Sequence, residues 1–123
     1  MTRAALLLCA GLALAACSKT PSRPIEHDPA KIAANAVAAQ PADPKLAGLY
    51  DTSCKACHGR PGSGAPLALD HTAWDSRWAR GLPSLMQSVI GGKAGMPAGG
   101  QCFACTEGDY KALVRFMADQ QGS

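Results

Sequence analysis

Apolar and polar positions divide the chain into blocks of different period. Residues 4–16 form an unbroken apolar run, rich in Ala and Leu, behind a single cation at Arg3. Residues 18–42 hold few large apolar side chains (Ile25, Ile32, Val37) and are interrupted by Pro21, Pro24, Pro29 and Pro41. From Pro44 onward the apolar positions recur at helical spacing. Leu46, Leu49, Tyr50 and Cys54 share one face of a predicted helix that Asp43 caps and Gly59 ends. Asp70 or Thr72 opens a short helix through Trp74 and Trp78, stopped by Gly81. Pro83 begins another, with Leu82, Leu85, Met86, Val89 and Ile90 on its apolar side and Gly91-Gly92 at its end. Thr106 caps the last helix, with Asp109 in the capping-box position and Tyr110, Leu113, Val114 and Met117 on the inner face. Between these, 59–68 and 93–101 are rich in Gly and Pro and read as loops. No strand alternation or repeat is visible. The expected fold class is all-α.

The N-terminal block has the charge-then-apolar grammar of a secretory signal and is too short to span a bilayer. It ends Leu14-Ala15-Ala16-Cys17, which resembles the lipobox of bacterial lipoproteins; an ordinary signal peptide with an incidental cysteine is the rival reading. The resemblance implies that cleavage leaves Cys17 lipidated, and Ser18 after it implies the outer membrane. The predicted division is therefore a signal peptide at 1–16, a lipidated N-terminus and Pro/Ala-rich tether at 17–42, and a folded domain at 43–123. Asp28-Pro29 can start a helix through the Ala-rich run to Gln40, but with almost no apolar face it is expected to be a marginal spacer. Fully extended, the tether reaches roughly 80 to 90 Å.

A folded part of about 80 residues has a thin core and usually needs a staple. Cysteine accounting suggests one. Of six cysteines, Cys9 is discarded with the signal and Cys17 is claimed by lipid, which leaves Cys54/Cys57 and Cys102/Cys105. Cys54-Lys55-Ala56-Cys57-His58 is the attachment signature of a c-type haem. One helical turn spaces the two thiols for addition to the two vinyl groups, and His58 follows as proximal iron ligand. In an exported chain the leftover pair Cys102/Cys105 is expected as a disulfide, with a working redox pair as the alternative. Zinc held by both pairs fits poorly, since residues 57 and 102 are far apart for a zinc ribbon, and no βαβ pattern supports a thioredoxin-like pair.

Met96 lies in the Gly/Pro loop between the last two helices. Pro97 keeps it out of helical backbone, so one thioether projects from a stiff loop, and a thioether is a soft iron ligand that raises the reduction potential. Met86 and Met117, on helical apolar faces, read instead as core filler. Trp74 is expected near the haem edge with its N–H free for a propionate. His27 and His71 read as solvated surface residues, with His71 a minor rival as iron ligand.

These pieces, Cys54 to Gly59, Ala73-Trp74, Gly91 to Gly100 and Cys102-Phe103-Ala104-Cys105, in this order, resemble a class I cytochrome c of the cytochrome c5 type. The resemblance covers about residues 43–120. It implies three to four helices around one covalent haem c, His58/Met96 ligation, a disulfide in the short loop before the last helix, and electron transfer between redox protein partners. The lipobox and tether depart from the family pattern and point to a membrane-anchored form on the periplasmic side. The rival function is a haem enzyme subunit or ligand sensor in which Met96 dissociates. A third reading makes the chain the electron-entry subunit of a larger oxidase or reductase. Charge adds little: 12 Lys/Arg against 9 Asp/Glu give +3 overall, and no basic stripe with stacking aromatics suggests nucleic acid. Lys55, Arg60 and Lys93 form either a small basic rim around the haem edge or scattered solvated charges.

Overall fold

The computed structural model describes residues 24–120. The expected signal peptide, the lipobox-like segment and Cys17 lie outside the described residues. Within them the chain is helical and contains no strand. The elements are α1 (Pro29–Ala38), α2 (Pro44–Leu49), a π-helical turn (Tyr50–Cys54), α3 (Lys55–His58), α4 (His71–Trp78), α5 (Leu82–Gly91), a 3-10 turn (Ala98–Gln101) and α6 (Glu107–Met117).

The caps follow the sequence closely. Asp43 Oδ1 accepts from Leu46 N at 2.9 Å, and Asp70 Oδ1 from Thr72 N at 2.9 Å, so Asp70 rather than Thr72 caps α4. At α6 the capping box closes both ways: Asp109 N donates to Thr106 Oγ1 and Thr106 N to Asp109 Oδ2, at 3.2 and 2.9 Å. Lys45 Nζ also reaches Asp109 at 2.7 Å, and with Thr106 it holds that carboxyl down to about 2. This ion pair ties the start of α2 to the first turn of α6.

α2, the π turn and α3 form one continuous helix from Pro44 to His58. The helical spacing predicted the span but not the π turn. Its local cause is a pair of hydroxyls: Thr52 donates to the Gly48 carbonyl at 2.9 Å and Ser53 to that of Leu49. Such back-bonding competes with the regular ladder and lets an extra residue into the turn. Tyr50 in this turn is fully buried against α6, edge to face with Phe116 at 5.1 Å and 79°. The geometry adds about 0.5–1.5 kcal/mol to the area the rings bury. The Tyr50 hydroxyl is buried without a hydrogen-bond partner among the described residues, and burial, with Cys54 and Asp51 nearby, pushes it up to about 12.

Around the crossing of this helix with α6 lies the core: Tyr50, Trp74, Leu85, Val89, Leu113, Val114, Phe116 and Met117. Ile90 departs from the predicted apolar side of α5 and is half exposed. α4 is fastened to α6 by Arg115 over the Trp78 ring at 5.6 Å. Leu69 N adds a bond to the Met117 carbonyl at 2.7 Å.

The spacer expectation needs correction at its C-terminal end. α1 forms under the Asp28 cap and is docked, with Ala36 and Ala39 buried. Its C-terminal side meets the attachment helix through Gln40, which donates to Asp51 at 3.0 Å and accepts from Lys55 at 3.3 Å. Gly59 makes the approach possible, because a Cβ there would stand 3.3 Å from the Ala36 carbonyl oxygen and 2.7 Å from Lys55 Cγ. The buried part of the contact is made by Ala36 and Ala39, whose small side chains leave no trace in a search for large apolar faces.

Candidate functional site

The attachment motif spans the join between the π turn and α3. Cys54 and Cys57 are free thiols one helical turn apart, Cys54 half-buried and Cys57 exposed. Burial raises the Cys54 thiol, opposed by a contact with the Ser53 hydroxyl at 3.5 Å. Lys55 between them pairs with Asp51 at 3.1 Å and with Gln40, so it is not a free member of a basic rim.

His58 ends α3 and is buried. Its Nδ1 lies 2.7 Å from the carbonyl oxygen of Pro66. A carbonyl can only accept, so Nδ1 carries the proton and Nε2 keeps its lone pair for a metal. Burial lowers the His58 pKa, which favours the neutral imidazole that metal binding needs. The loop is held in turn by Ala68 N, which donates to the His58 carbonyl at 2.8 Å. The Pro66 carbonyl was invisible to sequence reasoning, because every residue has one.

Trp74 is buried beside His58, ring centroids 5.8 Å apart. Its expected free N–H is not free: Nε1 donates to the Leu67 carbonyl at 2.7 Å. Trp74 therefore braces the 66–68 segment that orients His58, and its N–H is committed to the backbone rather than to a propionate. His71 is also more than a solvated surface residue. Its two ring nitrogens face Asp75 at 2.9 Å and Asp119 at 3.3 Å, which leaves neither for iron.

Met96 is half-buried against the core, in a tight turn closed by Lys93 N to Met96 O at 3.0 Å and Met96 N to Lys93 O at 2.9 Å. The 3-10 turn that follows packs on both α5 and the π turn carrying Cys54. Gly100, in left-handed backbone at φ +55°, provides the room for the thioether: a Cβ there would lie 3.2 Å from the Met96 methyl. Cys102 and Cys105 form a disulfide, Cα atoms 5.4 Å apart. Tyr110 of α6 donates to the carbonyls of Cys102 and Gly99, at 2.8 and 3.1 Å.

This donor set fits a covalently attached haem: two thiols at attachment spacing, an imidazole with an oriented open nitrogen, and a thioether in a cradle that a Cβ would fill. A cavity of about 620 Å³ lies elsewhere, between α1 and the 69–71 and 116–119 segments, and none of these donors lines it.

Fold and site together define a small c-type cytochrome, an electron-transfer protein with covalently bound haem c. The chain belongs to the family described as cytochrome c oxidase, cbb3-type, subunit III, whose profile matches residues 41–117. It is 36% identical over 75 residues to cytochrome c-555 of Chlorobaculum tepidum, covering 58% of this chain and 69% of that one. A solved structure, the crystal structure of an electron transfer complex of nitrite reductase with cytochrome c, holds a chain 34% identical to this one. The two superpose with a TM-score of 0.56, over 64% of this chain and 96% of the other.

Proposed function

We propose that the chain carries one haem c, ligated by His58 and Met96, and passes single electrons between protein partners on the periplasmic side of a membrane, anchored through acylated Cys17. The observation that carries the ligation is the Nδ1–Pro66 bond, which points the lone pair of His58 out of the peptide network. Haem c bound there supplies one-electron chemistry between ferric and ferrous iron. The protein's part would be to hold both donors, His58 and Met96, in fixed positions, so that little would reorganise on electron transfer. Were His58 and Met96 both to hold the iron, no site would be left on it for oxygen or peroxide, and the domain would serve as a carrier rather than a catalyst.

The disulfide in the loop before α6 supports placement among the c5-type cytochromes. The family description supports a role as electron-entry subunit of an oxidase, and the complexed structural relative supports transfer by docking to a partner protein. The lipobox supports the anchor and an outer-membrane location. Several acyl chains, at about 0.8 kcal/mol per buried CH₂, hold a protein on a bilayer essentially for good.

Reduced-minus-oxidised spectra of the purified protein, with haem quantified per chain, test the centre. One haem per chain, low-spin in both states and refusing carbon monoxide when reduced, is expected. Ready carbon monoxide binding by the wild type would favour the sensor reading in which Met96 leaves the iron. For the anchor, Cys17→Ser should move haem protein from the membrane to the soluble fraction, and a wild type already soluble would overturn it.

A further inference from the structure

Once Met96 has left its own turn, the chain runs through Gly99 and Gly100, both in left-handed backbone, to Cys102. The backbone hydrogen bonds described for this stretch run within it: Gly100 N to Pro97 O, Cys102 N to Gly99 O, Cys105 N to Cys102 O. Such a loop can shift as a unit without breaking any of them. Tyr110 is different, since it stands on α6, whose inner face is part of the core. Its single phenolic proton is shared between the Cys102 and Gly99 carbonyls. The fit around that hydroxyl is close, for a Cβ on Gly99 would lie 3.0 Å from it. The neighbouring glycine, Gly100, makes the cradle of the Met96 methyl.

We propose that Tyr110 is a positioning residue for the Met96 thioether: its hydroxyl pins the returning strand of the Met96 loop to α6 and so sets how firmly the thioether holds the iron. This rests on Met96 as sixth ligand. The hydroxyl acts at a distance from the bond it protects. While it bridges the two carbonyls, Gly99 and Gly100 are held from swinging outward, which keeps the Met96 thioether where it would hold the iron. Without it the ring still fills its half-buried site and the disulfide still closes its short loop, but the stretch between them is held only by its packing on α5 and the π turn.

The test uses ferric holoprotein and imidazole as the competing ligand. Tyr110→Phe removes the hydroxyl and keeps the ring. Its apparent affinity for imidazole should rise about five- to tenfold, the effect of one lost hydrogen bond on the loop-closed state. The long-wavelength band of thioether-ligated ferric haem should vanish at a correspondingly lower imidazole concentration. Lys45→Ala breaks another contact of α6, its ion pair with Asp109, without touching the loop, and should leave imidazole affinity unchanged. In a double-mutant cycle, Gly99→Ala should weaken the thioether bond less in the Tyr110→Phe background than alone, because the facing hydroxyl is gone. Unchanged imidazole affinity in Tyr110→Phe, or an equal rise in Lys45→Ala, overturns the proposal. The ligand assignment fails separately: a Met96→Ala protein that keeps the long-wavelength band removes Met96 from the iron whatever Tyr110 does.

Discussion

The two sides of the haem site are built by different means. On the His58 side the donors lie within five residues of one helix, and the ring is oriented by a carbonyl eight residues away and a tryptophan that braces the same segment. On the Met96 side the donor sits in a loop of glycines and prolines, closed locally by its own turn and tied to α6 by one hydroxyl. A helix propagates its geometry from residue to residue, so the first side tolerates the loss of one support. The second side rests on the packing of a short glycine-rich turn against α5 and the π turn and on one hydroxyl, and it is there that the centre should come apart first.

The largest expected effect tests that asymmetry at the donors themselves. Met96→Ala should fold and attach haem, lose the low-spin spectrum, bind carbon monoxide when reduced, and shift to a lower potential. Met96→His should remain low-spin, also with a lowered potential, because imidazole favours ferric iron more than a thioether does. His58→Ala, by contrast, should yield little stable haem protein, since it empties a buried position in the helix that carries both thiols. Equal yields of the two alanine variants would break the comparison.

A smaller effect is expected from the disulfide. Cys102 and Cys105 close a very short loop, so chain entropy gives at most about 2 kcal/mol. The double Ser variant should attach haem and keep its helices by circular dichroism. The thioether band should be lost at a lower temperature than in wild type, while haem attachment is unaffected. Retention of that band to the wild-type temperature would show that the bridge does not serve the Met96 side.

The smallest effect lies outside both sides. His71 is partly buried, which by itself lowers its pKa, but the facing Asp75 and Asp119 carboxylates outweigh this and raise it. A raised folded-state pKa contributes stability that is fully present below the unfolded value, about 6.5, and is lost as pH rises through the folded one. Thermal stability should therefore decline gently as pH rises above about 6.5, and the decline should disappear in His71→Gln. The groups facing this ring are Asp75 on its own helix and Asp119 after α6; Glu26 lines the adjoining cavity with it. The thioether band should not follow this titration. If it does, the two regions are coupled and the asymmetry is incomplete.

The same division decides how much could be read from the residues alone. Helix positions, the Asp43 cap and the capping box of α6 follow from local chemistry and were legible. So was the Cys54-Lys55-Ala56-Cys57-His58 spacing, because all of it lies within five residues of one helix. The π turn was not, since two hydroxyls bonding back to carbonyls leave the apolar period intact. The committed N–H of Trp74 was missed for another reason: its partner is a backbone carbonyl brought near by a loop. Ile90 fits the period of α5 and is still half exposed. Periodicity assigns a face, and only packing decides how wide that face is.

The docked position of α1 would shorten the reach of the proposed membrane anchor. Under the proposed anchor at Cys17, the tether would end at the Asp28 cap; the stretch from Pro29 to Gln40 would not count towards it, because it is docked on the haem domain. A dozen residues span at most about 40 Å even when fully drawn out, half of what a tether ending at residue 42 allows. Within that radius the confined domain meets its partner at a high effective concentration, and beyond it not at all. If Cys17 is acylated as proposed, an electron donor or acceptor served by this cytochrome would have to present its docking face within a few nanometres of that membrane.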